Sequence, residues 1–289
     1  MYKRQCAFPV EQADGTVVFE DRTDHLVELF AKAGIDALIT IGGDGSLTIG
    51  QRLCEAGLRV IGVPKTIDND LDKTSTTFGF DTAVQIATES LDRVFTTATS
   101  HSRVFVVEVM GRYAGWIALH AGFAAGAHAI LIPEIPFSLE PVAAMIKGRE
   151  ERGAEFAVIV VAEGATPLNG GRSVIGKSVD QSERLGGIGE LVAKELTALT
   201  GREARTTVLG HVVRGGTPTA QDRLLGNRFG AAAVRAIDEG YNGVMVALNE
   251  PCVEYIPLAE ATGALRTVPI DCDTIISARD MGISFGDDG

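Results

Sequence analysis

Apolar positions along this chain follow two periods that take turns. Over residues 24–33 (DHLVELFAKA) they recur every three or four positions, the spacing of one helix face, and Gly34 ends the run. The next stretch, IDALITIGG, is almost continuously apolar, the pattern of a strand covered on both faces. SLTIGQRLCEAG predicts a second helix with a glycine stop, and RVIGVP a second strand. From Asp81, the residues Val84, Ala87, Leu91, Val94 and Phe95 return to helical spacing. RVFVVEVM then predicts a strand, GWIALHAGFAAGA a helix of small residues, and AILIPE and EFAVIVVAEG two more strands. Helices are predicted near 188–199 and 219–238, and a strand at GVMVAL. Such alternation predicts an α/β fold with doubly wound, mostly parallel sheets. The opening MYKRQCAFPVEQADGTVVFEDRTD shows no apolar strand, and residues 164–187 read as the one extended polar loop.

Composition narrows the partners. With 289 residues, 45% of them hydrophobic, the chain can bury the core of one large domain or of two lobes. A net charge of −12 without any basic run excludes nucleic acid as an expected partner, although local arginines can still receive an anionic ligand. Cys6, Cys54, Cys252 and Cys272 are dispersed, so neither a disulfide framework nor a zinc site is expected, which fits a reducing compartment. No stretch reaches 18 uninterrupted apolar residues and no leader pattern opens the chain. A soluble, cytoplasmic protein with no membrane partner is the expectation.

Candidate chemistry gathers where apolar strands stop. In parallel α/β sheets ligands bind beyond the carboxyl ends of strands. Five such ends carry glycine, carboxylate, arginine or histidine: GGDGS (42–46), KTIDND (65–70), MGRYAG (110–115), AEG (162–164) and GHVVRGG (210–216). In the first, Gly43, Gly45 and Ser46 allow close backbone approach to a phosphate at a helix start, and Asp44 could hold Mg²⁺ against one. Alone, that motif reads equally as a glycine turn capped by Asp. In KTIDND, Asp68 is placed to take a proton from a substrate hydroxyl and Asp70 to orient its neighbours or aid the metal. Thr66 and Lys65 can donate to phosphate oxygens. Arg103, Arg112, Arg205 and Arg214 offer bidentate contacts to a phosphorylated substrate. Glu163 could accept from sugar hydroxyls, and His211 is a further candidate ligand. His25, His101, His120 and His128 read as structural.

Together IGGDGS, PKTIDND, GFDTA, SHSRVFVVEVMGRYAGW and GREARTTVLGHVVRGGTPTAQDR resemble the 6-phosphofructokinase family, in collinear order from about residue 24. The resemblance implies two lobes: a nucleotide lobe of residues 1–80 plus 213–262, and a fructose 6-phosphate lobe of residues 81–212 plus 263–289. It implies that Asp68 is the base for the sugar 1-hydroxyl, that Thr66 and Arg112 stabilise the transferring phosphoryl, and that Asp44 serves nucleotide-bound Mg²⁺. Gly43, Asp44, Gly45 and Ser46 would bind ATP. Thr66, Ile67, Asp68, Met110, Gly111, Arg112, Glu163, His211 and Arg214 would contact fructose 6-phosphate. Arg103 and Arg205 would reach it from a neighbouring subunit, so a homo-oligomer, dimer or tetramer, is implied.

Two features depart from the family pattern. The opening residues carry no G-G-D-x-x-G phosphate loop and no matching arginine, so the chain is expected to lack the first βα units and to present an exposed sheet edge or a gap. The donor signals are mixed: Gly45 resembles ATP users, whereas Lys65 resembles pyrophosphate users. The absence of a carboxylate facing the α-phosphate favours ATP. A pyrophosphate-dependent enzyme is the alternative, and a truncated, weakly active sugar-phosphate-binding chain is the second.

Overall fold

The structure is a computed structural model in which residues 7–12, 14, 16–171, 173–177 and 183–287 are described. Along the first part of the chain come β1 (Ala7–Glu11), β2 (Val17–Asp21), α1 (Thr23–Lys32), β3 (Leu38–Gly42), α2 (Asp44–Glu55), β4 (Val60–Thr66) and the short β5 (Phe78–Gly79). Next follow α3 (Phe80–His101), β6 (Val104–Val109), α4 (Trp116–Ala125), β7 (Ala129–Leu131), α5 (Leu139–Glu151) and β8 (Ala157–Ala162). They lead to β9 (Val174–Lys177), β10 (Glu183–Leu185), α6 (Ile188–Thr200), β11 (Ala204–Val208) and a 3₁₀ turn at Gly210–Arg214. The remainder forms α7 (Ala220–Asp238), β12 (Val244–Asn249), β13 (Cys252–Pro257), α8 (Leu258–Ala261) and α9 (Asp273–Asp280). None of the described helices is long and apolar enough to cross a membrane.

Two compact units divide these elements. The first comprises residues 1–79 and 220–266, the second residues 80–219 and 267–289. Residues 213–219 thus belong to the second unit and 263–266 to the first, opposite to the expected cuts. The reason is local bonding: Thr219 donates its hydroxyl to Asp81 at 2.5 Å and its N–H to Thr82 at 3.2 Å, while the Arg266 N–H donates to Asp70 O at 2.9 Å.

In the first unit the strands run in the order β13–β12–β4–β3, with β5 paired to the end of β4. β3, β4 and β12 are parallel and β13 returns antiparallel. Its two faces are covered separately. Leu47, Leu53, Val60, Met245 and Leu258 form one core, and Ile61, Val63, Leu225, Phe229 and Val246 the other. This two-sided burial explains the continuous apolar runs. β3 is the last strand at its side among the described residues, and Ile41 on it is 60% exposed, the open edge expected from the sequence.

The second unit is built on a parallel sheet ordered β11–β6–β8–β7. α5 and α6 cover one face through Leu139, Val142, Ile146, Ile188, Val192 and Leu196. α3 and α4 cover the other, where a methyl group on Gly122 would lie only 2.9 Å from Ile130, so α4 packs by its small residues.

Two expectations are corrected. Where no strand was expected near the start, β1 and β2 pair antiparallel with Glu11 opposite Val17. The turn is held by the Gln12 N–H to Thr16 O at 2.7 Å and by Asp14 Oδ1, which accepts the Thr16 N–H at 2.9 Å. The polar stretch 164–187 contains a second antiparallel pair, β9 with β10, because backbone pairing there satisfies groups a loop would leave to water. Residues 172 and 178–182 of that stretch, and the opening residues 1–6, lie outside the described residues.

Candidate active site

The site residues of the first unit lie at the carboxyl ends of β3 and β4. β3 ends in Gly42, and α2 starts directly from Gly43, whose carbonyl accepts the N–H groups of Ser46 at 3.0 Å and Leu47 at 3.1 Å. Glycine is needed at position 42, and at position 43 it avoids a tight contact. A methyl group on Gly42 would lie 2.4 Å from the Ser46 side chain, and one on Gly43 would lie 3.2 Å from Thr66 Cβ. The glycine turn therefore stands against Thr66 with no side chain between them. Asp44, Gly45 and Ser46 form the first turn of α2, where free N–H groups and the helix dipole favour an anion.

The neighbouring turn is organised around the base candidate. Thr66 is buried, its hydroxyl oxygen accepts the Asp68 N–H at 3.1 Å, and it lies 3.5 Å from Asp68 Oδ2. Asn69 is almost fully buried in the left-handed region at φ 52°, a conformation Asn tolerates, and its Oδ1 accepts the Thr77 N–H at 3.0 Å. Thr77 donates its hydroxyl to Thr66 O at 2.8 Å. Arg266 closes the far side, with its N–H on Asp70 O and Nη1 on Asn69 O at 3.4 Å. Burial lowers the Arg266 pKa from its ordinary value, opposed by the charge of Asp72. The result is a fixed turn that leaves Asp68 and Asp70 half-buried and Lys65 exposed.

Strand ends of the second unit gather a second set. β6 runs directly into Met110, Gly111 and Arg112. The end of β8 is laced to it by the Glu163 N–H on Val109 O at 2.9 Å and the Gly164 N–H on Gly111 O at 3.0 Å. The Leu209 N–H donates to Glu108 O at 2.9 Å, which sets the 3₁₀ turn bearing His211 and Arg214 beside the same strand end. Arg214 donates Nε to Met110 Sδ at 3.2 Å, and the Arg112 guanidinium lies over the Tyr113 ring. Met110, Gly111, Arg112, Glu163, His211 and Arg214 thus lie at or just beyond the carboxyl ends of one sheet, while GGDGS and KTIDND lie on the other, so the five strand ends expected on one edge are divided between two sheets.

Arg103 and Arg205 do not join them. Arg103 precedes β6 and Arg205 stands near the start of β11, so both lie at the amino ends of strands that have Arg112 and His211 at their carboxyl ends. Both guanidinium groups pair with Glu203, Arg103 Nε at 3.0 Å and Arg205 through Nη2. Six residues of β6 at about 3.3 Å each separate the two ends, about 20 Å.

Sequence reasoning missed several supporting residues: Asn69, Thr77, Arg266, Glu108 and Glu134. Glu108 is a buried carboxylate on β6 that accepts the Gly189 N–H at the start of α6 at 2.9 Å. Burial raises its pKa, and the Gly189 and Gly187 N–H groups oppose that shift. Its signal in the sequence is a lone Glu inside VVEV, since a buried charge needs a partner.

Among the described residues no three His, Cys, Asp or Glu side chains cluster closely enough to hold a metal unaided. The donor set nonetheless fits Mg²⁺ carried on nucleotide phosphates, which takes only one or two protein carboxylates and keeps its waters. Asp44, at the phosphate-favouring start of α2, supplies such a group.

A carboxylate turn and a glycine turn on one parallel sheet, with arginines ending the strands of another, define a phosphate-handling α/β protein. Residues 10–237 match the family model described as phosphofructokinase, and this chain belongs to that family. It is 53% identical over 262 residues to an ATP-dependent 6-phosphofructokinase of Chloroflexus aurantiacus, covering 91% of this chain and 72% of the relative. It is also 51% identical over 269 residues to a pyrophosphate–fructose 6-phosphate 1-phosphotransferase of Amycolatopsis mediterranei, covering 89% and 78%. Among solved structures it resembles a pyrophosphate-dependent phosphofructokinase from Marinobacter aquaeolei, at 26% identity and a TM-score of 0.75, covering 94% of this chain and 72% of that one.

Proposed function

We infer that this chain is an ATP-dependent 6-phosphofructokinase, which moves the γ-phosphoryl of ATP to the 1-hydroxyl of fructose 6-phosphate and gives fructose 1,6-bisphosphate. The observation that carries this reading is the ordered Thr66–Asp68 turn standing against the glycine turn of α2, in a chain half identical to enzymes of that name. Asp68 takes the proton of the 1-hydroxyl, and the freed oxygen attacks the γ-phosphorus while its bond to the bridging oxygen breaks and ADP leaves. Thr66 and Arg112 donate to the oxygens of the transferring phosphoryl, and Asp70 orients the turn. Gly43 and Gly45 bring backbone N–H groups to the nucleotide phosphates, and Ser46, whose N–H is held by Gly43 O, offers its hydroxyl. Asp44 would hold Mg²⁺ carried on those phosphates, and the ion would supply neutralisation of their developing charge. There is little covalent work for the protein, so positioning and charge carry the rate.

Ile67, Met110, Gly111, Glu163, His211 and Arg214 hold the sugar phosphate. Arg103 precedes all six residues of β6, about 20 Å of strand, and Arg205, opposite Phe105, lies about 13 Å of strand before the β6 carboxyl end. Both serve, on this reading, the sugar phosphate of a neighbouring subunit in a homo-oligomer. In this reading the first unit is the nucleotide lobe and the second the fructose 6-phosphate lobe of a cytoplasmic enzyme.

Pyrophosphate is the competing donor, favoured by the exposed Lys65 and by the Amycolatopsis relative. Measuring kcat/KM with ATP and with pyrophosphate for the wild type and Gly45→Asp decides between them. A carboxylate about 4 Å from the α-phosphate costs on the order of 4 kcal/mol before screening at an effective dielectric near 20. ATP use should therefore fall about 10²-fold or more in the variant, with pyrophosphate use unchanged or newly visible. A wild type that prefers pyrophosphate would invert the donor assignment, and binding of fructose 6-phosphate with turnover from neither donor would remove the kinase reading.

A further inference from the structure

A carboxylate with no part in the chemistry above sits under the turn that carries Arg112. Glu134 follows β7, and its two oxygens accept the Gly115 N–H at 3.0 and 3.1 Å, while Oε1 also accepts the Val268 N–H at 2.8 Å. Gly115 is the residue from which α4 starts, and it has no side chain with which to cap that helix. Glu134 does not replace that cap, which would accept a helical N–H further on; from another element it accepts the N–H of Gly115 itself, and its charge meets the positive end of a ten-residue helix. The fit is closed: a methyl group on Gly115 would lie 2.4 Å from Ile132 Cβ and 3.0 Å from Glu134 Oε2.

The same turn is fixed at its near end. Gly111 is held at φ 149° by the Gly164 N–H on its carbonyl, and a methyl group on Gly111 would lie 2.9 Å from Ala114 O. Arg112 therefore lies on a short span of backbone tied at Gly111 by β8 and at Gly115 by Glu134. A group used in phosphoryl transfer must be held to a fraction of an ångström, and one tie alone leaves the turn free to pivot.

We propose that Glu134 is a positioning residue for phosphoryl transfer, acting through Arg112 by anchoring the far end of its turn. The proposal rests on the role given to Arg112 above. Burial raises the Glu134 pKa, while the Val268 and Gly115 N–H groups favour the ionised form they bind.

The test is a double-mutant cycle of Glu134→Gln with Arg112→Ala, reading kcat and KM for fructose 6-phosphate at saturating ATP, with thermal melts alongside. Gln keeps the shape and one acceptor but turns an NH₂ toward the Gly115 N–H. Glu134→Gln should lower kcat by about 10-fold or more while KM for fructose 6-phosphate stays within about 3-fold. In the Arg112→Ala background it should add less than about 2-fold. Glu134→Asp, which keeps the charge at shorter reach, should recover part of kcat and keeps the test alive if Gln does not fold. An equal loss in both backgrounds, or wild-type kcat in folded Glu134→Gln, overturns the proposal. Wild-type kcat in Arg112→Ala alone would instead remove the role of Arg112, and the single variants tell the two failures apart.

Discussion

Gly164→Ala probes the link between packing and chemistry at the β8 strand end. The added methyl carbon would stand 2.1 Å from Arg112 O, 2.8 Å from Arg112 C and 2.9 Å from Gly111 O, where real contacts stop near 3.0 Å. All three are backbone atoms, so no side chain can rotate out of the way. The turn must retreat by about 1 Å, carrying Arg112 with it and stretching the 3.0 Å bond from the Gly164 N–H to Gly111 O. Overpacking of this kind costs about 1–3 kcal/mol, and each kcal/mol lowers Tm by about 2–4 °C in a protein of this size. A displacement of about 1 Å at a group touching the transferring phosphoryl lowers kcat/KM by about 10²-fold. The assay is steady-state turnover at 25 °C on protein shown folded by its melt, with Gly171→Ala as control because nothing lies within 4 Å of its methyl position. If Gly164→Ala melts lower yet keeps kcat/KM within about 3-fold of wild type, the turn is not coupled to the chemistry and the reasoning fails.

Asp68→Asn keeps the shape of the base and removes its charge, so kcat should fall by about 10²–10⁴-fold with fructose 6-phosphate binding nearly retained. Titration calorimetry with turnover assays checks this, and more than about a third of wild-type kcat would sink the assignment. On the proposed role of Arg103 and Arg205, mixing inactive Arg205→Ala with inactive Asp68→Asn subunits should restore activity, because a hybrid interface would then hold one complete site. Silence after proven subunit exchange would place the arginines within one chain. His128 accepts the Val158 N–H on Nδ1 at 2.9 Å between the rings of Phe95 and Phe156, and burial, helped by the charge of Arg149, lowers its pKa from 6.5 to about 4. The unfolded chain therefore takes this proton first. Stability is fully present above pH 6.5 and is lost on acidification toward pH 4, by about 3 kcal/mol at most. Urea melts at pH 7 and 4.5 should show that slope flattened in His128→Asn, and parallel slopes in both proteins would refute it.

Strands buried on both faces were legible because nothing but apolar residues can fill them, and the helices between them because glycines stop their periodic runs. α5 was not. Its first turn carries Pro141, which ends a helix in the interior but is tolerated there, where its missing N–H has no intrahelical partner. At the candidate site, Asp68, Arg112, Glu163 and His211 announced themselves as charge or imidazole placed abruptly after an apolar run. Asn69, Thr77 and Glu134 did not, since each serves backbone N–H or carbonyl groups that leave no mark in residue type. The meeting of Arg103 and Arg205 on Glu203 was hidden for another reason: it follows from the register of β11 on β6, with Ala204 opposite Val104.

Neither unit is a single stretch of chain, and that has a consequence during synthesis. β4, which carries the base turn, needs β12 beside it, and the Val60 N–H donates to Asn242, 182 positions further on. At ribosomal speeds of about 5–20 residues per second, the Asp68 turn waits about 10–40 s for its flanking strand. The second unit's sheet needs the chain as far as β11, and gains the bridge from Ala129 to Ser284 later still. A chain abandoned midway therefore owns neither finished sheet. The turn that carries Asp68 gains its flanking strand only after most of the chain has been made.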